Sequence, residues 1–220
     1  MAGGADAIVE GFRSLSTGEV SDALDRLRIP GTTPGLVALD TGYRTVGRAF
    51  TVLYQPKSVE DVTVGDYIDD VAAGEVVVID NAGRLDCTVW GDILTMVAHS
   101  RDLAGTVING VCRDTADARE IGYPIFSRGR HMRTGKDRVG FAGSGVGVDL
   151  GGVRVLPGDV IVGDDDGIVV VPQSVEAEVL ELARAIAEGE RRIIEGVRGG
   201  ASLAEARAEH GYHVLQRAES

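Results

Sequence analysis

Apolar positions recur at helical spacing between Thr17 and Arg28, where Val20, Ala23, Leu24 and Leu27 fall on one stripe. Ser16, followed three residues later by Glu19, has the form of a capping box and sets the start of that helix. Pro30, Gly31, Pro34 and Gly35 then force a turn, and a β-rich stretch including Thr45 to Leu53 follows. From Gly74 the pattern alternates. Glu75 to Asp80 (EVVVID) has the composition of a fully buried strand. Asp92 to Ser100 is a helix whose face carries Ile93, Met96, Val97 and Ser100. Thr106 to Asn109 is the next strand, Asp114 to Ile121 the next helix, and Tyr123 to Ser127 a short strand. Strand, helix, strand, helix, strand predicts an α/β fold around a parallel core with right-handed crossovers.

Past Gly129 the character changes, because short Val-rich runs alternate with glycine turns up to Pro172, the pattern of an antiparallel β unit. Gln173 to about Gly199 reads as one long helix, with Val175, Val179, Leu182, Ala183, Ile186, Ile193 and Ile194 as its apolar stripe. The last residues are polar and helix-prone. Without internal repeats or a linker, residues 1–220 are expected to form a single domain, with 196–220 as a C-terminal tail.

Composition narrows the class of function. The chain has 22 basic and 34 acidic residues, a net charge of −12, so its mean field repels nucleic-acid backbones and anionic lipid; neither is expected as a partner. The purest apolar runs, Val76 to Ile79 and Ile168 to Val171, are too short to span a bilayer, and the N-terminus lacks the pattern of a signal peptide. Two cysteines, Cys87 and Cys112, form neither a disulfide framework nor a CxxC pair, and predict reduced thiols in the cytoplasm. Glycine, 31 of 220, is about twice its usual share and implies tight turns and close backbone approaches.

The candidate chemistry lies at two strand-to-helix junctions, Gly91-Asp92-Ile93-Leu94 and Cys112-Arg113-Asp114-Thr115-Ala116-Asp117. In an open α/β sheet such junctions on neighbouring strands face one crevice. Free amides at the start of the Asp92 helix suit a carboxylate or an enolate oxygen, and Gly91 lets a ligand approach. Arg113 offers a planar fork for a carboxylate, and Asp114 a hard oxygen for a magnesium-type ion. Each residue also has an ordinary reading. Asp114 and Asp117 make a plain N-cap with an acid at the third position, Asp92 is a first-turn acid, and Arg113 is a surface ion pair.

Other groups carry less. Asp164-Asp165-Asp166-Gly167 reads as a hairpin turn. Arg128, Arg130, His131, Arg133, Lys136 and Arg138 form the only basic cluster, in a loop just after a strand, where it is solvated or contacts an anionic substrate or a neighbouring chain. His99, His210 and His213 lack metal-ligand spacing, and Cys112 reads as packing. No nucleophile elbow, P-loop or dinucleotide fingerprint occurs.

Five blocks in order, VSDAL (Val20 to Leu24), VVVIDNAG (Val76 to Gly83), WGDIL (Trp90 to Leu94), GTVINGVCRDTAD (Gly105 to Asp117) and GGVRVLPGDVIVGDDDGIVVVP (Gly151 to Pro172), resemble the RraA-like family, which includes 4-hydroxy-4-methyl-2-oxoglutarate and 4-carboxy-4-hydroxy-2-oxoadipate aldolases. The resemblance covers about residues 16–195, and Gly91 precedes Arg113 by 22 positions, as in the family. It implies a swivelling α/β/α domain, assembled as a homotrimer or dimer of trimers with the site at a subunit boundary. Gly91, Asp92, Ile93 and Leu94 would form the substrate turn, Arg113 would grip the carboxylate of an oxo acid, and Asp114 would hold Mg2+ or Mn2+. Asp92 or Asp117 would position a catalytic water. Ile93 stands where leucine is commoner. A glutamate from a neighbour's C-terminal helix completes the family site; Glu188 and Glu190 are the candidates, with no motif to choose between them. The implied activity is retro-aldol cleavage of a 4-hydroxy-2-oxo acid to pyruvate and a second oxo acid, with oxaloacetate decarboxylation at the same site. The competing expectations are a non-catalytic regulator that binds ribonuclease E, or another oxo-acid or sugar-acid lyase; methyl transfer is disfavoured, since no methyl-donor loop is present.

Overall fold

A computed structural model describes residues 6–57 and 66–209. Two short helices open the chain, α1 (Ala7–Phe12) and α2 (Thr17–Arg26). The capping box is present at the start of α2: Ser16 Oγ accepts Glu19 N, and the Glu19 carboxylate accepts Ser16 N. Helix α1, which the hydrophobic pattern did not indicate, starts at Asp6, whose carboxylate accepts the amides of Ile8 and Val9.

The strands are β1 (Thr32–Thr33), β2 (Val37–Ala38), β3 (Thr45–Pro56), β4 (Val76–Thr88), β5 (Gly105–Cys112), β6 (Ile125–Arg130), β7 (Val139–Ser144), β8 (Val148–Leu150), β9 (Val153–Val155), β10 (Val160–Asp164) and β11 (Gly167–Val171). Nine of them form one sheet in the order β1-β11-β10-β3-β4-β5-β6-β2, with β7 also paired to β3, while β8 and β9 make a separate hairpin. Strands β3 to β6 run parallel, as the alternating pattern predicts. The remaining pairings are antiparallel, so the glycine-punctuated second half is indeed the antiparallel unit. Every residue of β5, the centre of the parallel segment, is buried.

Helices α3 (Asp92–Ser100) and α4 (Thr115–Ile121) cover one face of the parallel strands around Trp90, Ile79, Ile108 and Tyr123. The β8–β9 hairpin covers the other around Val78, Val107 and Phe126. The long helix α5 (Glu176–Arg198) packs with α1 and α2 on the β10–β11 end, and α6 (Leu203–Glu209) folds back on it. Among the described residues no helix is long and apolar enough to cross a membrane.

Two predicted faces are corrected. On α3 the buried residues are Thr95 and Ala98, while Ile93 and Met96 are exposed (74% and 52%). Thr95 turns inward because its hydroxyl takes a hydrogen bond from the Trp90 indole and donates to Gly91 O. On α5 the stripe is Val179, Leu180, Ala183, Ile186 and Ile193, and Ile194 faces outward. Asp164 to Gly167 is the expected hairpin turn, and the Asp164 carboxylate also accepts Thr17 N and Thr17 Oγ1 at the start of α2.

Arg48, on β3, ties these layers together. Its guanidinium donates to Asp6, to Gly158 O and, through both terminal nitrogens, to Glu176 at the first turn of α5. The hydrogen bond from Arg48 holds the Asp6 carboxyl below its usual 3.8. A carboxylate with a depressed folded pKa adds stability that is present above its ordinary value and is lost as pH falls through the folded one. Asn at position 6 still caps α1 but lacks the charge. Thermal melts of wild type and Asp6→Asn should therefore differ at pH 6 and converge toward pH 3; a gap that stays constant with pH would show that the charge of Asp6 beside Arg48 is not its source.

Candidate functional site

The two predicted junctions meet. Arg113 N donates to Trp90 O at 3.1 Å, a main-chain bond that joins the turn after β5 to the turn after β4. Trp90 is buried against Tyr123, and its turn is set by Thr88, whose hydroxyl accepts Trp90 N and donates to Trp90 O. This framework presents Gly91 to the RD dipeptide. An added Cβ on Gly91 would lie 2.6 Å from Asp114 Oδ2 and 3.1 Å from Arg113 Nε, so only glycine admits both side chains as they stand.

Asp114 occupies the N-cap position of α4, yet its side chain does not cap that helix. Its backbone is left-handed (φ 55°, ψ 41°), a conformation that aspartate tolerates better than most residues. Its Oδ2 lies 3.4 Å from Asp92 N and 3.0 Å from Arg113 Nε. The plain N-cap reading of Asp114 is therefore set aside, whereas Arg113 does form a part-exposed ion pair, with its own neighbour Asp114. That pair engages only one edge of the Arg113 guanidinium, which is 40% exposed.

The amides at the start of α3 are not all bare, contrary to expectation. Asp92 N faces Asp114, and Ile93 N donates to Asp92 Oδ1 at 2.8 Å, whereas Leu94 N has no partner among the described residues. Two carboxylates of the chain thus sit where the dipole and orphan donors of the helix attract an anion.

Gly91, Asp92, Ile93, Leu94 and Arg113 line one cleft of about 330 Å3, closed on the far side by Thr134 and Gly135 and reached by Asp66. The far wall is stitched to the floor by Thr88 N donating to Arg133 O at 2.9 Å. Asp117 is exposed and does not line this cleft. It faces an adjoining groove with Asp92, Ile93 and Met96, so Asp92 is shared by both hollows and Asp117 belongs to one. A larger surface channel of about 630 Å3, along Leu27 and Leu182, is lined by Arg26, Arg28, Glu178 and Glu181 and includes neither predicted junction.

The basic cluster divides. Arg128 and Arg130 belong to β6, and Arg128 turns inward to donate to Asn109, while Arg138 folds back on Thr134 O and Lys136 O. His131 is placed beside the site by its main chain, His131 N donating to Cys112 O. His99 is exposed, and His210 and His213 lie outside the described residues. Burial pushes the Cys112 thiol up, as expected of a packing residue. Neither Glu188 nor Glu190 lines the cleft of this chain. Glu188 pairs with Arg191 and Arg192. The Glu190 carboxyl is raised by burial and by Asp22 and Glu19. Among the described residues no group of three His, Cys, Asp or Glu side chains is arranged around a metal position.

Beneath the site, the pairing of β5 with β4 and β6 slips at Asn109 and Gly110. Asn109 bridges the slip, donating to Asp80 Oδ1 at 3.1 Å and Asp149 O at 3.0 Å and accepting from Arg128 Nε at 2.7 Å. Sequence reading assigned no role to Asn109, Trp90 or Thr88; only their place inside the WGDIL and GTVINGVCRD blocks, or just before one, drew attention to them.

The α/β architecture places the chain among open-sheet folds, whose ligand crevices lie at the carboxyl ends of the parallel strands, where the paired junctions are found. Residues 17–170 match the RraA-like family model (Aldolase/RraA), and the chain belongs to that family. It is 38% identical over 202 residues to protein DlpA of Legionella pneumophila, covering 90% of this chain but only 33% of DlpA, so it spans a third of that relative's length. It is 36% identical over 175 residues (79% of this chain, 80% of the relative) to a protein of Halalkalibacterium halodurans provisionally named 4-hydroxy-4-methyl-2-oxoglutarate aldolase. A crystal structure of an uncharacterized Pseudomonas syringae protein has a TM-score of 0.86 at 45% identity, covering 92% of this chain and 98% of that one. Streptomyces coelicolor RraAS2, described as an unusual member of the RNase ES inhibitor RraA family, has a TM-score of 0.77 at 31% identity, covering 86% and 96%.

Replacing Asn109 with Leu would leave the buried Asp80 carboxylate short of a donor, at a cost of about 3 kcal/mol. Denaturant unfolding checks this, and a loss below about 1 kcal/mol would show that the slip is held by packing alone.

Proposed function

We propose that this chain is a divalent-metal-dependent lyase that cleaves 4-hydroxy-2-oxo acids, such as 4-hydroxy-4-methyl-2-oxoglutarate, to pyruvate and a second oxo acid. The observation that carries the reading is the convergence of Arg113, Asp114 and the start of α3 across Gly91. The relation to the H. halodurans protein supports the reaction class.

Asp114 fits a hard cation. Its Oδ1 has no partner among the described residues and its side chain is about one-third exposed, which suits Mg2+, or alternatively Mn2+, tethered by one carboxylate and keeping much of its water. When bound, such an ion supplies Lewis-acid stabilisation of the negative charge that gathers on the keto oxygen.

The chain's own residues do the rest. The free edge of the Arg113 guanidinium takes the C1 carboxylate as a fork. Leu94 N, and Ile93 N once Asp92 has turned away, donate to the oxygen that becomes the enolate. The released Asp92 carboxylate, directly or through water, accepts the proton of the C4 hydroxyl. The C3–C4 bond then breaks, its electron pair passing into the pyruvate enolate while C4 becomes the carbonyl of the second product. Return of a proton to C3 completes the turnover. Oxaloacetate decarboxylation passes through the same enolate and belongs to the same site. Asp117, in the adjoining groove, acts on the orientation of water near Asp92. The exposed Ile93 and Met96 beside the cleft favour a neighbouring copy there, consistent with a cytoplasmic homotrimer or dimer of trimers. The likeness to RraAS2 supports a second reading, a regulator that docks on a ribonuclease without catalysis.

In a coupled pyruvate-release assay with Mg2+, Arg113→Ala and Gly91→Ala should each lower turnover by about 10²- to 10³-fold while stability changes by about 1 kcal/mol or less. Silence of the wild-type chain on all 4-hydroxy-2-oxo acids and oxaloacetate would favour the regulator, and near-normal release by Arg113→Ala would remove the cleft from the mechanism.

A further inference from the structure

Arg128 differs from every other basic residue of 128–138. It extends from β6 on the Phe126 side of the sheet, toward the β8–β9 hairpin and away from the cleft of Arg113. Its Nε is fixed by Asn109 Oδ1 at 2.7 Å. The carboxylates of the adjoining network are already engaged: Asp80 takes Asn109 Nδ2, Ala82 N and Asp149 N, and Asp149 Oδ1 takes Gly152 N. The two terminal nitrogens, Nη1 and Nη2, have no hydrogen bond or ion pair among the described residues, and neither is sealed from solvent.

Three glycines lie around this guanidinium, Gly35 from the β1–β2 turn, Gly83 from the irregular middle of β4 and Gly151 from the β8–β9 turn. A Cβ on Gly151 would lie 2.7 Å from Nη2, one on Gly35 3.2 Å from Nη1, and one on Gly83 3.6 Å from Nε. All three have positive φ, between 66° and 76°, so the backbone itself favours the residue that leaves the space open. An arginine with its Nε pinned, its orientation set and its outer edge unpaired presents two parallel donors at the spacing of an oxyanion. The buried Asp80 behind it holds Asn109 in place and is saturated with donors, so it fixes the fork without occupying it.

We propose that Arg128 anchors a second anion site, outside the Arg113 cleft, which takes one small oxyanion, a carboxylate or a phosphate, on its Nη edge within the ring of Gly35, Gly83 and Gly151. The site does not depend on the lyase reading and stands whether the chain is an enzyme or a regulator.

The test follows the Arg128 Nε–Hε signal, assigned through bonds in the ¹⁵N-labelled full chain, as malonate or inorganic phosphate is added at constant ionic strength. The signal should move saturably and should do so equally in Arg113→Ala, which removes the other candidate anion partner. Response to malonate alone assigns a carboxylate site, and response to phosphate alone a phosphate site. In the Arg113→Ala background, Arg128→Lys keeps the charge but loses the fork, and should weaken binding measured by calorimetry about tenfold. Absence of a saturable shift with either anion, a shift that disappears in Arg113→Ala, or equal affinity in Arg128→Lys would overturn the proposal.

Discussion

The candidate site depends on space at Gly91 that the Asp114 and Arg113 side chains occupy and a single methyl group would fill. Gly91 brings the start of α3 against Asp114, and the bond from Arg113 N to Trp90 O locks the two turns at that separation. Neither turn could form this alone. The β4 turn depends on Thr88 and the buried Trp90, and the β5 turn on a left-handed aspartate, a conformation that costs energy and persists only where its surroundings enforce it. The parallel pairing of β4 with β5 supplies that enforcement, by setting the two strand ends side by side.

Parallel register by itself would not carry Arg113 to Trp90. The ladders on both sides of β5 slip near Asn109 and Gly110, so the last residues of the strand pair with different partners than a regular continuation would give. A slip leaves ladder groups without their usual partners, and buried polar groups must be satisfied from elsewhere. Asn109, with one acceptor and two donors used by three different strands, is suited to that role in a way an apolar residue is not. The polar network on one face of the sheet thus sets the geometry of the turn that reaches the other.

Much of this was legible from periodicity. The parallel strands, α2 with its capping box, the antiparallel second half and the long α5 follow from apolar spacing and glycine punctuation, because those signals report burial directly. What was not legible was the orientation of short elements and of buried polar groups. On α3, the apolar Ile93 and Met96 suggested the inner face, but Thr95 took it through hydrogen bonds to Trp90 and Gly91, a partnership invisible at the level of hydropathy. Helix α1 has only six residues, too few for a period to show, and its signal was the single cap Asp6. The union of the two junctions was foreseeable from topology. The division of labour among the acids was not, since spacing cannot say that Asp92 lines both hollows while Asp117 lines only one.

The occupancy of the α3 amides bears on how an anion is recognised by a chain of net charge −12. The long-range field opposes an approaching carboxylate, so capture must come from short-range donors. Asp92 and Asp114 satisfy Ile93 N and Asp92 N, which spares the helix the cost of unpaired amides near apolar walls. An incoming anion would find Leu94 N open but would compete with Asp92 for Ile93 N. Displacing Asp92 from Ile93 N costs about one hydrogen bond, so an anion would hold that position only where its own bonds to the amide and to Arg113 exceed that cost. Anion binding and the placement of the Asp92 carboxylate are thereby linked through one side chain, because both compete for the same helix amide.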